Sequence, residues 1–524
     1  MNKSGKLLYN WPDDNFDDLL KFIDGAQLGD TPYDLTIIGA GIVGTALAYK
    51  LSQYKLKVLL VDKNYDVGEG TSKGSSAIVH TGFDAPVDTL ESELVTKASM
   101  EWPELAKKLK IPFEVCGALV VAIDEEQEKQ LEKVYAKGLK NGVTDIKILS
   151  SEEAKKLEPN ITDDVLGGIL IPRESIADPF ATSIAYSEVA LSNGVDIILG
   201  VEITAVENPD EKTKTLVTDC GNRITTKIIV NVGGLGSEKL AKLYNGEQFD
   251  TNPRRGQFLI FDKFSRPAIN HILLPIPTVK TKGVLVIPTI FGNLIAGPTA
   301  EDYSHDNKLV ADTTTEQLQL LLEGASKLYP KLKEQPVISI FSGVRSNCSQ
   351  GSYWIRCNDN HPGILTVAGI RSTGFTSSPA LAQHLIDELQ DKLGLNLEVN
   401  PEAIDSRSED KWPGWWKRRY NDEKFVKENP EYGKVVCYCE QITRGDVIQH
   451  LDSPLKPRTL DSIKRRTRAQ MGRCQGFDCM VNIAEIISDH CEIPLDKISK
   501  RGPGSEIAHT LTSNYSDEAK NELN

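Results

Sequence analysis

Nowhere in its 524 residues does the chain carry a run of 18 or more apolar residues, so a membrane-spanning helix is not expected. The N-terminus has no apolar core of signal-peptide type, so the chain is expected to be neither secreted nor membrane-spanning, and cytoplasmic. Peripheral contact with a membrane or a partner subunit stays open. Positive charge is in deficit: 60 Lys and Arg against 74 Asp and Glu leave a net charge of −14, a field that repels nucleic acid. No nucleic-acid motif, no Ser/His/Asp order and no phosphate-transfer loop is found. Cysteine is sparse, with 9 residues. Cys116, Cys220, Cys348, Cys357 and Cys491 are scattered and read as reduced, whereas Cys437, Cys439, Cys474 and Cys479 cluster near the C-terminus. In an intracellular chain such a cluster points to a metal site before disulfides. The remainder, 40% hydrophobic and 26% charged, is an ordinary globular composition, and the length suits about two to four domains.

The chain is organised around residues 34–44, where the apolar run Leu35–Ile38 suits a buried parallel strand. Gly39, Gly41 and Gly44 follow in the spacing G-x-G-x-x-G, and a helix is expected from Ile42 to Gln53. Gly39 permits the tight turn, Gly41 lets a pyrophosphate approach the backbone, and Gly44 lets the helix pack close to the sheet. The helix N-terminus, with the N–H groups of Ile42 and Val43, attracts phosphate. A second apolar run ends in Asp62, 23 residues after Gly39, where an acid can accept a hydrogen bond from a ribose. The fold class is therefore α/β, with a Rossmann-type dinucleotide-binding unit.

Residues 68–82 form a loop of small residues that can lie against a planar ligand, and it contains His80. Helices are expected at 91–110, 125–141, 180–193, 314–328 and Pro379–Leu389, and a buried strand at Ile228–Val232 leads into Gly233 and Gly234. Residues 252–340 alternate strands with turns, as an antiparallel sheet capping a cavity would. Val337–Phe341 is expected to end at Ser342-Gly343-Val344-Arg345, and Leu365–Ala368 at Gly369. Domain boundaries are placed at 1–32 (an extension, read as a short surface helix), 33–395 (interleaved cofactor and substrate units), 396–434 (a surface linker with Trp412, Trp415 and Trp416), 435–490 (a small α-rich metal domain) and 491–524 (a polar tail).

The fingerprint at 39–44, the segments Ser75–Gly82, Pro253–Gln257, Gly297–Asp302 and Gly343–Arg345, and the stretch Gly369–Thr376 together resemble one pattern. It is that of the D-amino-acid-oxidase-like FAD-dependent oxidoreductases, in the branch of glycerol-3-phosphate dehydrogenases and L-2-hydroxyglutarate oxidases. Residues 435–490 resemble the BFD-like [2Fe–2S] domain appended to some of those dehydrogenases.

The resemblance makes the dinucleotide FAD. It implies contacts from Asp62 and Lys63 to the adenosine half, from Ser72, Ser75 and Ser76 along the pyrophosphate and flavin, and from Ile203, Gly233 and Gly234 on the adenine side. Gly369, Gly374, Phe375 and Thr376 would line the flavin. It implies a hydride passing from a small anionic hydroxy compound to flavin N5, with sn-glycerol 3-phosphate to dihydroxyacetone phosphate as the leading reaction. L-2-hydroxyglutarate or another 2-hydroxy acid, a secondary amine, and an accessory electron-transfer role are the alternatives. His80 is the candidate base, because imidazole can be poised near neutral pH. Lys282, Arg345 and Ser372 match substrate-site positions, and Arg345 offers a bidentate fork for an anion. Arg371 departs from the pattern: it could favour a second anionic group, or pair with the flavin or a neighbouring acid. By spacing alone the four cysteines suit zinc or iron–sulfur; the resemblance implies a [2Fe–2S] cluster, with a quinone or protein as electron acceptor. Lys464 to Arg468 and Arg473 would offset the cluster's charge.

Overall fold

In the computed structural model of the chain, residues 5–10, 32–277, 283–302, 310–358, 361–407 and 419–508 are described. Among the described residues are two nine-stranded sheets, a three-stranded sheet, and a small helical unit with a two-stranded sheet. The first sheet has a parallel centre in the order Leu7–Tyr9, Asp196–Leu199, Val58–Asp62, Tyr33–Ile38, Arg223–Asn231, with Ile364–Ala368 also parallel to Arg223–Asn231. These strands are apolar on both faces because both are covered, one by helices and the other by the short helix Ser237–Leu243 with Tyr244, Phe249 and Trp354: Leu35, Leu59, Leu60, Ile229 and Leu365 have no exposed surface. Helices Ile42–Leu51, Leu90–Leu109, Pro179–Ser192 and Gly374–Leu393 share one core with this sheet.

The second sheet is mostly antiparallel and is built on the pair Thr251–Phe261 and Val337–Cys348, in register from Thr251 opposite Cys348 to Phe261 opposite Val337. One of its pairs, Ile272–Pro275 with Ala118–Ala122, is parallel. Helix Thr315–Leu328 covers its back through Leu321, Ala325 and Leu328.

Several expectations change here. Of the extension only residues 5–10 and 32 are described, and the surface helix expected there otherwise lies outside the described residues. Leu7–Tyr9 is instead an edge strand paired with Asp196–Leu199; Trp11 and Phe16 lie outside the described residues. The expected helix 125–141 is broken into Glu125–Glu128 and Leu131–Lys140. Val337 does not stop at Phe341: cross-strand pairing carries the strand through Gly343 to Cys348. The last long helix begins at Gly374, five residues before Pro379. Part of the segment expected as a tail packs: Ile498 is buried in the core of the C-terminal unit and Ser499 bridges Glu506. Within the linker Arg407 is buried against Glu188; Trp412, Trp415 and Trp416 lie outside the described residues.

The first turn is as tight as the glycine spacing requires. A Cβ on Gly44 would lie 1.9 Å from the Gly39 carbonyl oxygen, a backbone atom that cannot swing away. Gly44→Ala should therefore destabilise the protein by about 2 kcal/mol or more, read as a lowered Tm; an unchanged Tm would show that the helix shifts freely.

Candidate active site

At the dinucleotide turn, Gly39 (φ 118°) and Gly44 are glycines because the protein's own backbone crowds them. Gly41 is different: a Cβ there would meet only the Ser72 hydroxyl, at 3.4 Å. Its missing side chain keeps the space over the helix N-terminus clear, which fits a bound pyrophosphate. Gly234 and Gly236 likewise face nothing within 4 Å. Ser72 Oγ accepts a hydrogen bond from the Ile42 N–H at 2.9 Å, which places a hydroxyl where phosphate oxygens would bind.

Asp62 is turned back onto the turn. One oxygen accepts from the Ala40 N–H at 2.7 Å, and the other from the Asn64 N–H and side-chain amide, both at 2.8 Å. Burial raises its pKa, opposed by those N–H groups. A carboxylate offers about four lone-pair sites; three are used, which leaves one for a ribose hydroxyl. Lys63 is exposed. Ile203 opens a strand with its side chain buried, while Gly200 and Val201, just before it, donate to the carbonyls of Asn64 and Asp62.

The short strand Ile78–Val79 pairs with Ser175–Ala177, with Val79 opposite Ser175. The next residue on one side is His80, and the preceding residue on the other is Glu174. That register brings His80 Nδ1 to 2.7 Å from Glu174 Oε1, both buried. The other carboxylate oxygen accepts from the Thr81 N–H and hydroxyl at 2.8 and 2.9 Å. Glu174 is thus held by three groups and aims the imidazole; with Nδ1 donating to it, Nε2 is the free basic nitrogen. The His80 N–H donates to Thr376 Oγ1 at 3.0 Å, which fixes this loop on the first turn of helix Gly374–Leu393. Ala77 sits in the left-handed region at φ 66°, a conformation costing about 1–2 kcal/mol for a residue with a Cβ. Ser75 Oγ accepts from the Ala77 N–H at 3.1 Å.

Arg345 enters from the second sheet. The strand bearing it crosses the small-residue loop at Gly343 and Gly74, where a Cβ on Gly343 would lie 2.3 Å from the Gly74 carbonyl oxygen. Gly256 opposite makes room for the guanidinium: a Cβ there would be 2.6 Å from Arg345 Nη2. The two arginines of the facing strand have acids: Arg254 pairs with Asp302 at 2.7 Å, and Arg255 with Glu301 at 3.0 Å and with Asp312. Arg345 has no carboxylate among the described residues. It reaches only the Thr299 carbonyl, at 3.4 and 3.5 Å. Burial, and then repulsion from Arg254, push its pKa down to about 10.

Ser372 is exposed just before helix Gly374–Leu393, whose Gly374, Phe375 and Thr376 are buried. Gly369 (φ 68°) lies where a Cβ would strike the Gly351 carbonyl oxygen at 2.4 Å. Arg371 is committed elsewhere: its Nη2 is 2.5 Å from Glu91 Oε2. Glu91 also accepts from Thr373 and Ser352 at 2.7 and 2.8 Å. Of the options left open for Arg371, the structure supports pairing with a neighbouring acid. Lys282 lies outside the described residues.

In the C-terminal unit the sulfurs stand as two contact pairs, Cys437 with Cys479 and Cys439 with Cys474. Cys437 is lowered to about 6, first by the hydrogen bond from Cys479 and then, against its burial, by the N–H groups of Gln470 and Glu440. Cys474 is lowered first by the N–H of Asp478 and then, against burial, by that of Gly476. Backbone N–H groups aimed at sulfur stabilise thiolates and tune iron–sulfur centres. Four thiols brought together from two loops fit the four-cysteine holding of a [2Fe–2S] cluster. Arg465 and Arg466 do not face the thiolates, as expected of them, but turn to Asp66 and Glu69.

Sequence reasoning missed Glu174, Glu91 and Asp66. Each meets its partner across 94 or more residues, so nothing local marks them.

The family model for FAD dependent oxidoreductases matches residues 34–388, and that for the BFD-like [2Fe-2S] binding domain matches residues 435–489. A glycerol 3-phosphate dehydrogenase of Caloramator mitchellensis is 35% identical over 482 residues, covering 91% of this chain and 98% of that protein. A glycerol 3-phosphate oxidase of Mycoplasma pneumoniae is 30% identical over 366 residues, covering 69% of this chain and 95% of that one. The solved structure of dithionite-reduced L-alpha-glycerophosphate oxidase from Mycoplasma pneumoniae, with FAD bound, superposes with a TM-score of 0.68 at 29% identity, covering 72% of this chain and 98% of the other.

Proposed function

The chain belongs to the family of FAD-dependent oxidoreductases and carries a BFD-like [2Fe–2S] domain, with FAD and a [2Fe–2S] cluster as its cofactors, and from that premise we propose that it oxidises sn-glycerol 3-phosphate to dihydroxyacetone phosphate. The observation that carries the substrate choice is Arg345, a partly buried guanidinium without a carboxylate among the described residues, in a space kept open by Gly256. A buried charge needs a partner, and a phosphate monoester supplies one with bidentate geometry. The dehydrogenase and oxidase relatives, named for this substrate, support the same choice. The pairing of Arg371 with Glu91 removes the argument for a second anionic group, which favours glycerol phosphate over the dicarboxylate 2-hydroxyglutarate.

When bound, FAD supplies the hydride acceptor and the cluster a one-electron exit. The chain's own residues do the rest. Arg345 holds the phosphate, with Ser372 and Lys282 as further substrate contacts. His80 Nε2 takes the proton from the substrate hydroxyl, and Glu174 holds the imidazole and steadies its positive charge.

The acceptor is a quinone or a protein, and the chain is placed in the cytoplasm. Cys439 is exposed, and Tyr438 and Phe477 beside the cysteines are 73% and 94% exposed, so that edge is open to a partner subunit or a membrane surface. No helix among the described residues is long and apolar enough to cross a membrane.

Initial rates with an artificial acceptor should show kcat/KM for sn-glycerol 3-phosphate about tenfold or more above those for L-2-hydroxyglutarate, sarcosine and proline, whose carboxylates can also meet Arg345 but bring one negative charge to it where the phosphate brings about two. A preference for any of the others would overturn the substrate. Oxygen uptake equal to substrate consumption would overturn the acceptor.

A further inference from the structure

Residues 63–75, between Asp62 and the His80 loop, are held from three sides. On the first, the Gly68 N–H donates to the Ala40 carbonyl at 2.8 Å and Ser72 holds the Ile42 N–H, so the segment is fastened to the turn that faces the pyrophosphate. On the second, Gly74 lies against Gly343 on the strand of Arg345. The third is the iron–sulfur domain. Arg466 forks both oxygens of Asp66 at 2.7 and 2.9 Å. Arg465 bridges Asp66 and Glu69 at 2.8 and 2.5 Å. All four side chains are at most 7% exposed. Burial alone would raise the Asp66 pKa, but Arg466 and Arg465 more than reverse this and hold the carboxyl well below its usual range.

The same helix, Leu460–Thr467, leads from its C-terminal turn into the cluster site. Leu460 and Ile463 are fully buried in the domain's core. The helix closes on Arg468 in the left-handed region at φ 67°. The chain then runs through Gln470, whose N–H is directed at Cys437 and Cys479, and Gly472, where a Cβ would be 2.3 Å from that of Cys439. Glu440, next to Cys439 and 1% exposed, accepts from Arg468 and from Lys263, which follows strand Thr251–Phe261 of the second sheet. The last turn of one helix therefore holds the FAD loop through its side chains, and the chain that follows it directly packs on the cysteine loops.

We propose that the clamp of Arg465 and Arg466 on Asp66 and Glu69 makes retention of FAD and retention of the cluster mutually dependent, so that the iron–sulfur domain is part of the FAD site. Removing one member of a buried ion pair strands the other, so the clamp opens as a unit. Coupling of two binding equilibria is reciprocal: loss of the cluster loosens the loop that faces FAD, and loss of FAD loosens the domain. This rests on the two cofactors and not on the identity of the substrate.

The test uses the full-length holoprotein. The cluster is stripped anaerobically with an iron chelator, iron content is followed, and FAD release is read from the fluorescence of freed flavin. FAD should dissociate about tenfold or more faster from the cluster-free protein. Arg466→Met, with its iron content verified, should release FAD at a similarly raised rate, and Arg466→Lys, which keeps the charge but not the fork, at an intermediate one. FAD release unchanged after complete loss of iron overturns the proposal, and this arm stands even where Arg466→Met does not fold. Faster release on cluster loss, but wild-type release from iron-loaded Arg466→Met and Arg466→Lys, overturns the assignment to the clamp.

Discussion

Replacing His80 by asparagine should lower kcat by about 10²–10⁴-fold, the range for loss of a positioned general base, while FAD content and KM change little. The expectation follows from register. Val79 opposite Ser175 puts His80 against Glu174 with no loop able to let them part. The carboxylate accepts from Nδ1, so the nitrogen that could take the hydroxyl proton is Nε2. Glu174→Gln should give a smaller loss in kcat and displace the pH–rate profile, because the uncharged amide no longer steadies imidazolium. Stopped-flow reduction under substrate separates this from a folding defect: bound flavin with normal absorbance but slow reduction is expected. Wild-type reduction rates in His80→Asn would remove His80 as the base.

Replacing Arg345 by methionine should raise KM for an anionic substrate by about tenfold to a hundredfold, since a hydrogen bond to a charged group contributes about 1.5–3 kcal/mol. A pH consequence follows with a definite sign. Its pKa lies near 10 in the folded protein, below the usual arginine value. Between those two values the unfolded chain binds more protons, so stability contributed by this group rises with pH across that window, and below it the buried charge costs stability. A bound anion offsets that cost. Inorganic phosphate or sn-glycerol 3-phosphate should therefore raise the Tm of the wild type and leave that of Arg345→Met unmoved. Equal shifts in both proteins would place the anion elsewhere.

The dinucleotide turn was legible because its chemistry is local: three glycines, a preceding strand and an acid at the end of the next strand all fall between Tyr33 and Asp62. The four cysteines were legible for the same reason, since spacing alone confines them to two loops. What escaped depends on pairings between distant segments. Glu174 looks like a turn residue until Ile78–Val79 and Ser175–Ala177 are placed side by side. Whether Arg371 serves a second anionic group, the flavin or a neighbouring acid stays open in the sequence, because Glu91, its partner, is 280 residues away. Arg465 and Arg466 sit beside cysteines in sequence, yet helix geometry turns them outward to Asp66 and Glu69. Strand Val337–Cys348 ran past its glycine because Thr251–Phe261 pairs along its length, and cross-strand partners outweigh the weak local preference of one glycine.

The most direct test of the central claim is an anaerobic titration of the purified holoprotein with sn-glycerol 3-phosphate, following flavin absorbance. Bleaching of the oxidised flavin bands within seconds, saturating with substrate and abolished or strongly slowed in His80→Asn, is the expected result. An unbleached flavin that dithionite still reduces would contradict the assignment of this substrate.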